Sequence, residues 1–325
     1  MSAEAIPKAE LHVHLEGTAD PALVSRIARR NGMALPDGML KDEHEFAWSD
    51  FLHFLQTYDL AASVVRTPED YREVTYEYLG ACAQEGAIYV ELIVSPDHAH
   101  AVGLPDAEHF AAVAQGIDDA RERLGIEARM IATILRNRGV ENAEDVARRV
   151  AEHRHPYVVG FNMSGDEAGF PPAPFARAFE IAADAGLGCT VHAGEHAGPE
   201  SVRGGLALPG VTRVSHGVRA VEDPALVAEI AERGIVLEVC PGSNVALGVY
   251  PSFEEHPLRA LHDAGVRVTL GSDDPPYFAT SIGREYEVAQ ERMGFSDREL
   301  VGVTRSAVDA AFAGDALKAD LLARL

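Results

Sequence analysis

His12 and His14 stand one residue apart in the run Glu10-Leu-His-Val-His-Leu-Glu-Gly17. Residues i and i+2 of a β-strand leave the same face, so a strand here would aim both imidazoles in one direction. Two imidazoles on one face make half of a tetrahedral zinc site. The other half is sought where further apolar runs end in a ligating or acidic side chain. His192 ends the run Cys189–His192, His216 ends Thr212–His216, and Asp273 and Asp274 follow Arg267–Leu270. Glu195 lies just beyond His192.

Three imidazoles and one carboxylate suit zinc, and His12, His14, His192 and Asp273 supply that set with a position left for water. Zinc lowers the pKa of a bound water from 15.7 toward ~7, which makes hydroxide available at neutral pH. His216 and Asp274 then stand as bases able to hold that hydroxide and take its proton. Glu195 is left as a general acid facing the substrate. This assignment requires an architecture that brings scattered strand ends to one place.

The chain provides one. Eight β-like runs, Ala9–Leu15, Ile88–Val94, Ala128–Leu135, Val158–Met163, Cys189–His192, Thr212–His216, Ile235–Val239 and Arg267–Leu270, alternate with helical segments. That alternation is the pattern of βα units around a parallel sheet. An open doubly wound sheet is the competitor, but its glycine-rich phosphate loop is absent after the first run. The reading is an α/β fold, a single TIM-type (β/α)8 barrel domain over residues 1–325, whose active site gathers at the C-terminal ends of the strands. Extra helices are expected after the first strand (Phe46–Tyr58, either packing on the body or roofing a pocket) and from Ser281 to the end. Gly198–Gly210 has no clear pattern. His98, His109 and the histidines of other helices and loops read as solvent-facing, whereas His256 has no assignment.

Composition narrows the partners. A formal net charge of -23 opposes binding to nucleic acid or an anionic membrane, since phosphate would be repelled. No apolar run approaches the ~20 residues of a membrane span, and the start lacks the features of a signal peptide. Cys82, Cys189 and Cys240 are odd in number and far apart, which argues against a disulfide framework. A cytoplasmic protein with a small-molecule partner is expected.

The segments Ala9–Gly17, Val159–Glu167, Val191-His-Ala-Gly-Glu195, Ser215-His-Gly217, Leu237–Pro241 and Ser272-Asp-Asp-Pro275 together resemble the adenosine/adenine deaminase family of metal-dependent amidohydrolases. The likeness runs in order over nearly the whole chain. It implies a zinc barrel that replaces the 6-amino group of a purine with oxygen and releases ammonia. It implies His12, His14, His192 and Asp273 as ligands of one zinc ion, with Glu195 protonating purine N1. By the same resemblance His216 orients the water and stabilises the tetrahedral intermediate, and Asp274 bonds both hydroxide and purine N7. Further substrate contacts are implied for His14, for Glu16 and for the backbone N–H of Gly165 with N3. The Phe46–Tyr58 helix resembles the family's hydrophobic gate. No lysine lies near the fourth strand end to bridge a second metal. The H-x-E and P-C-x-x-C pattern of the other zinc deaminases is also absent. Adenosine or deoxyadenosine stands slightly ahead as substrate, with adenine or another 6-aminopurine as the alternative. Glu16, where adenosine deaminases usually have aspartate, leans toward adenine. A non-catalytic purine or zinc binder is the remaining reading.

Overall fold

The computed structural model describes residues 3–325. Eight parallel strands pair in chain order: β1 (Lys8–His14), β2 (Ala87–Val94), β3 (Glu127–Leu135), β4 (Val158–Ser164), β5 (Gly188–Ala193), β6 (Val211–His216), β7 (Val236–Val239) and β8 (Arg267–Leu270). The strands differ from the expected runs by a residue or so at their ends. β1, β2 and β7 are buried along their whole length, because they face a barrel interior on one side and helices on the other. β8 returns to β1 through a bridge between Val13 and Asp273, with His14 N–H donating to Asp273 O (3.0 Å) and Asp273 N–H to His12 O (3.2 Å). The barrel is thus joined at the point where the metal-ligand candidates lie.

Helix boundaries follow local chemistry. Asp20 accepts Leu23 N–H to start the helix Pro21–Arg30, and Asp50 caps Phe51–Ala62. Thr67 and Asp70 form a capping box for Pro68–Gln84, and Ser296 and Glu299 form another for Asp297–Ala310. The segment Gly198–Gly210, unpatterned in the sequence, contains the helix Pro199–Leu206, and Pro96–Ala101 and Pro241–Ala246 are further short helices after strands. All three have proline in the first turn, where its missing N–H costs nothing. The C-terminal part is three helices, Ile282–Glu291, Asp297–Ala310 and Asp315–Leu322, interrupted near Gly294 and Gly314.

The bottom of the barrel is closed by the turn after Ala310. Phe312 N–H donates to Glu91 Oε1 (2.7 Å) and its ring lies 3.7 Å beneath the Arg213 guanidinium. Gly160 and Gly188 make room for that ring: a Cβ on Gly188 would come within 2.2 Å of it. Arg213, buried, pairs with Glu91 (2.8 Å) and Glu238 (2.6 Å). The lower barrel is therefore a filled, charge-compensated core, and space for a ligand remains only above it.

Candidate active site and metal centre

At the upper end the strand termini converge as the barrel requires. His12 and His14 come from β1, His192 from β5, His216 ends β6, and Asp273 and Asp274 follow β8. His12, His14, His192 and Asp273 offer four buried donor atoms within 4.8 Å of one another. His12 Nε2 and His14 Nε2 each lie 3.1 Å from His192 Nε2 and 3.4 Å from Asp273 Oδ1. Zinc bonds of about 2.0–2.1 Å in a tetrahedron imply ligand-to-ligand edges of about 3.3 Å, so the donor set is already spaced for such an ion.

Proton positions support the same reading. His12 Nδ1 faces the Glu238 carbonyl (3.1 Å), which can only accept, and His192 Nδ1 faces Asn162 Oδ1 (3.0 Å). Both rings therefore carry hydrogen on Nδ1 and turn the Nε2 lone pair inward. Two lone pairs 3.1 Å apart do not bond to each other. A cation between them accounts for the arrangement.

His216 is oriented differently. Leu258 N–H donates to His256 Nδ1 (3.2 Å), so His256 Nε2–H donates to Asn244 Oδ1 (3.0 Å). The Asn244 amide then donates to His216 Nδ1 (3.3 Å), which leaves the hydrogen of neutral His216 on Nε2. That atom faces Glu195 Oε2 at 3.6 Å and Asp273 Oδ2 at 3.7 Å. This buried imidazole is set to donate into the site rather than to accept, which favours the orienting and stabilising role over that of a base. His216 (φ 62°) and Asp273 (φ 64°) also adopt left-handed backbone conformations, a strain that clusters at functional sites.

Burial governs the electrostatics. Burial raises the Glu195 pKa well above the usual carboxylate value, and the charges of Asp273 and Glu167 push it the same way. A neutral Glu195 is a proton donor. Burial, then Asp273 and Glu195, likewise raise Asp274 well above normal. For Asp273 burial opposes ionisation, but the close polar contact with His12 prevails and lowers it well below normal. Burial lowers His192 and His216 well below 6.5 and brings His14 to about 4, which keeps these rings neutral.

Above His12, His14, His192 and Asp273 lies a cavity. Gly165, Glu195, His216 and Asp274 line it as expected, with His14 and Asp273 at its floor. Phe51, Phe54, Leu55, Tyr58 and Asp59 of the helix Phe51–Ala62 roof it, while Phe54 and Tyr58 are also buried against the body. Both readings of that helix therefore hold. Glu16 does not reach the cavity lining: it is buried, and its Oε1 accepts the Ser95 amide (3.0 Å). Burial raises its pKa.

Several contributors had no signal in the sequence. Ser95, His98, Thr133 and Asn137 line the cavity, and His98 Nε2 donates to Asp59 (2.8 Å), tying the roof helix down. His98 is buried, as is His109 between the rings of Tyr71 and Phe110, so the expectation that both face solvent is corrected. His256 is buried in the chain leading to His216. Cys82, Cys189 and Cys240 are buried free thiols. Among the described residues no helix is long and apolar enough to cross a membrane.

Comparison with known proteins agrees with this geometry. A family model described as adenosine deaminase matches residues 7–325. An adenine deaminase of Agrobacterium fabrum is 51% identical over 318 residues, covering 98% of this chain and 97% of the relative. The crystal structure of adenine deaminase from Arthrobacter aurescens superposes with a TM-score of 0.91 at 31% identity, covering 98% of each chain. An amidohydrolase from Burkholderia ambifaria with bound zinc gives a TM-score of 0.88 at 28% identity, over 99% of this chain and 90% of the other.

Proposed function

The chain belongs to the adenosine deaminase family of hydrolytic deaminases, and we propose that its substrate is adenine, converted to hypoxanthine and ammonia with one zinc ion. The observation that carries this reading is the four-donor set lying beneath a cavity that also holds a buried carboxylic acid, Glu195. The sequence alone placed adenosine slightly ahead. The order is reversed by relatives named adenine deaminase at about 50% identity along their full length. The cavity's described lining includes no lysine or arginine to hold a nucleotide phosphate, which opposes AMP as substrate.

His12, His14, His192 and Asp273 would hold the ion, whose chemical contribution is to bring the ionisation of water toward neutral pH. The residues of the chain do the rest. Glu195 gives its proton to N1, which draws electron density from C6. With the ion's positive charge beside it Asp274 would be the anion; it accepts a proton from the attacking water, and His216 Nε2–H donates to the oxygen as it adds to C6. Neutral for the moment, Asp274 bonds N7 and then passes its proton to the departing amine. The hydroxyl proton returns to Glu195 as C6 becomes a carbonyl. Water and adenine thus become hypoxanthine and ammonia, with every carboxyl restored. The Gly165 N–H meets N3, and His14 packs beside the ring. Glu16 acts from behind the lining, holding Ser95 at the cavity wall.

The test is ammonia release, with the accompanying ultraviolet change, from adenine, adenosine, deoxyadenosine and AMP by the zinc-loaded protein. We expect kcat/KM for adenine to exceed that for adenosine by at least about 100-fold, the scale on which shape and polar contacts discriminate. Equal or better turnover of adenosine would overturn the choice of substrate, and no turnover of any 6-aminopurine would overturn the activity.

A further inference from the structure

Glu195 sits on a turn rather than on a strand, and nothing in the mechanism explains what holds that turn. Its backbone is gripped by Glu167, a buried side chain from the loop after β4. One oxygen of Glu167 accepts Gly194 N–H (2.5 Å). The other accepts three successive amides, Glu195 (3.1 Å), His196 (2.8 Å) and Ala197 (3.0 Å). Gly194 has φ +74°, a left-handed conformation next to which neighbouring N–H groups turn toward a common point and make an anion-binding concavity. Four backbone donors thus converge on one carboxyl group.

The opposite side of the same turn is also held. Arg136, fully buried, donates from Nη2 to the His192 carbonyl (2.5 Å) and the Met163 carbonyl (3.4 Å), and from Nη1 to Phe170 O (3.3 Å). A carboxylate from the β4 loop thus takes the amides of residues 194–197, and a guanidinium takes the carbonyl of His192. The cation also offsets the buried negative charge.

We propose that Glu167 is a positioning residue for the N1 acid: by clamping the amides of residues 194–197 it aims the Glu195 carboxyl at the substrate ring. The inference rests on the reading of Glu195 as the proton donor. Glutamine in place of Glu167 has one acceptor oxygen and an NH₂ that opposes a backbone N–H, so the turn would lose part of its grip. Misplacing a catalytic group by about 1 Å costs on the order of 100-fold in rate.

The experiment is a double-mutant cycle on the zinc-loaded protein, with amide hydrogen exchange as a second readout. Glu167→Gln should lower kcat for adenine by about 10–100-fold, leave KM within about threefold, and retain one zinc per chain. In a Glu195→Gln background the same substitution should cost less than about twofold more, because the group it aims is already disabled. Exchange at residues 194–197 should be faster in Glu167→Gln than in the unaltered protein. Full additivity in the cycle, loss of zinc, or unchanged exchange would overturn the proposal. Should Glu167→Gln fail to melt cooperatively, Glu167→Asp, which keeps the charge with a shorter reach, takes its place in every measurement, with a smaller loss expected. Unimpaired turnover by Glu195→Gln alone would remove the acid assignment instead, and the exchange rates would then decide the clamp by themselves.

Discussion

Replacing Asn162 with alanine tests whether metal affinity depends on a side chain that touches no ion. Asn162 Oδ1 accepts from His192 Nδ1 at 3.0 Å, and its amide donates to Ser215 Oγ at 3.2 Å. Ser215 in turn donates to Glu238 Oε2 (2.7 Å). Alanine would strand the Nδ1–H of a buried ring, and an unmet buried donor costs about 1–3 kcal/mol. The ring can escape that cost by moving its hydrogen to Nε2, but it then has no lone pair for the metal. Either route charges the cost to the bound state. At 1.36 kcal/mol per decade this is about 5–150-fold in affinity, in line with the roughly 10–100-fold measured for such outer partners elsewhere. Competition with a chromophoric zinc chelator measures the change, with a thermal melt to verify folding. Asn162→Asp keeps an acceptor at the same position and should keep most of the affinity. If Asn162→Ala binds zinc within twofold of the unaltered protein, the hydrogen on His192 is not controlled from Asn162, and the argument for inward lone pairs fails.

Other outcomes follow from elements away from the metal. Gly188→Ala would press a methyl group into the Phe312 ring, and overpacking of this kind costs about 1–3 kcal/mol in a urea denaturation series. Phe312→Leu in the same chain should restore much of the loss. Asp70 is buried at the start of the helix Pro68–Gln84, where burial opposes its ionisation. Hydrogen bonds from Asn31, the Arg66 amide, Arg30 and the Thr67 amide prevail, and its pKa is lowered. The stabilisation is present in full above the unfolded value near 4 and disappears as pH falls through the lower folded value. Asp70→Asn should therefore cost about 1–3 kcal/mol at pH 7, and the gap to the unaltered protein should narrow in melts below pH 4. A gap that is constant with pH would show that the charge on Asp70 contributes nothing.

The architecture was legible because parallel strands buried on both faces appear as continuous apolar runs, such as Ile88–Val94 and Ala128–Leu135. The candidate ligand set could be assembled because His12, His14, His192 and Asp273 lie at or just beyond the ends of such runs, and the structure brings the four together. What escaped reading depends on contacts between segments remote in sequence. His98 lies on a short helix but is buried by pairing with Asp59, and His109 by the rings of Tyr71 and Phe110. No local pattern announces either partner. Glu16 was expected in contact with substrate from the family resemblance, and no local pattern announced that its Oε1 accepts the Ser95 amide. The direction of the His216 hydrogen is decided by Asn244 and His256, both from beyond β7. The helix Pro199–Leu206 was hidden because Gly204 and Gly205 weaken its intrinsic propensity, and docking on β5 and β6 supplies what propensity lacks.

The seam between β1 and β8 carries a consequence for how the protein is made. His12 and His14 leave the ribosome long before Asp273, which lies about 260 residues further along the chain. The backbone bonds that join Val13 and its neighbours to Asp273 close the barrel at the same place. A nascent chain can present the histidine pair but not the finished cage, so tight capture of the ion has to wait for the last strand. Because the ion would link the first strand to the eighth, its binding would lock a closure spanning most of the polypeptide, where the entropy of an open loop is largest. Metal uptake would then mark the completion of folding, and chains arrested before the eighth strand would be released without their cofactor.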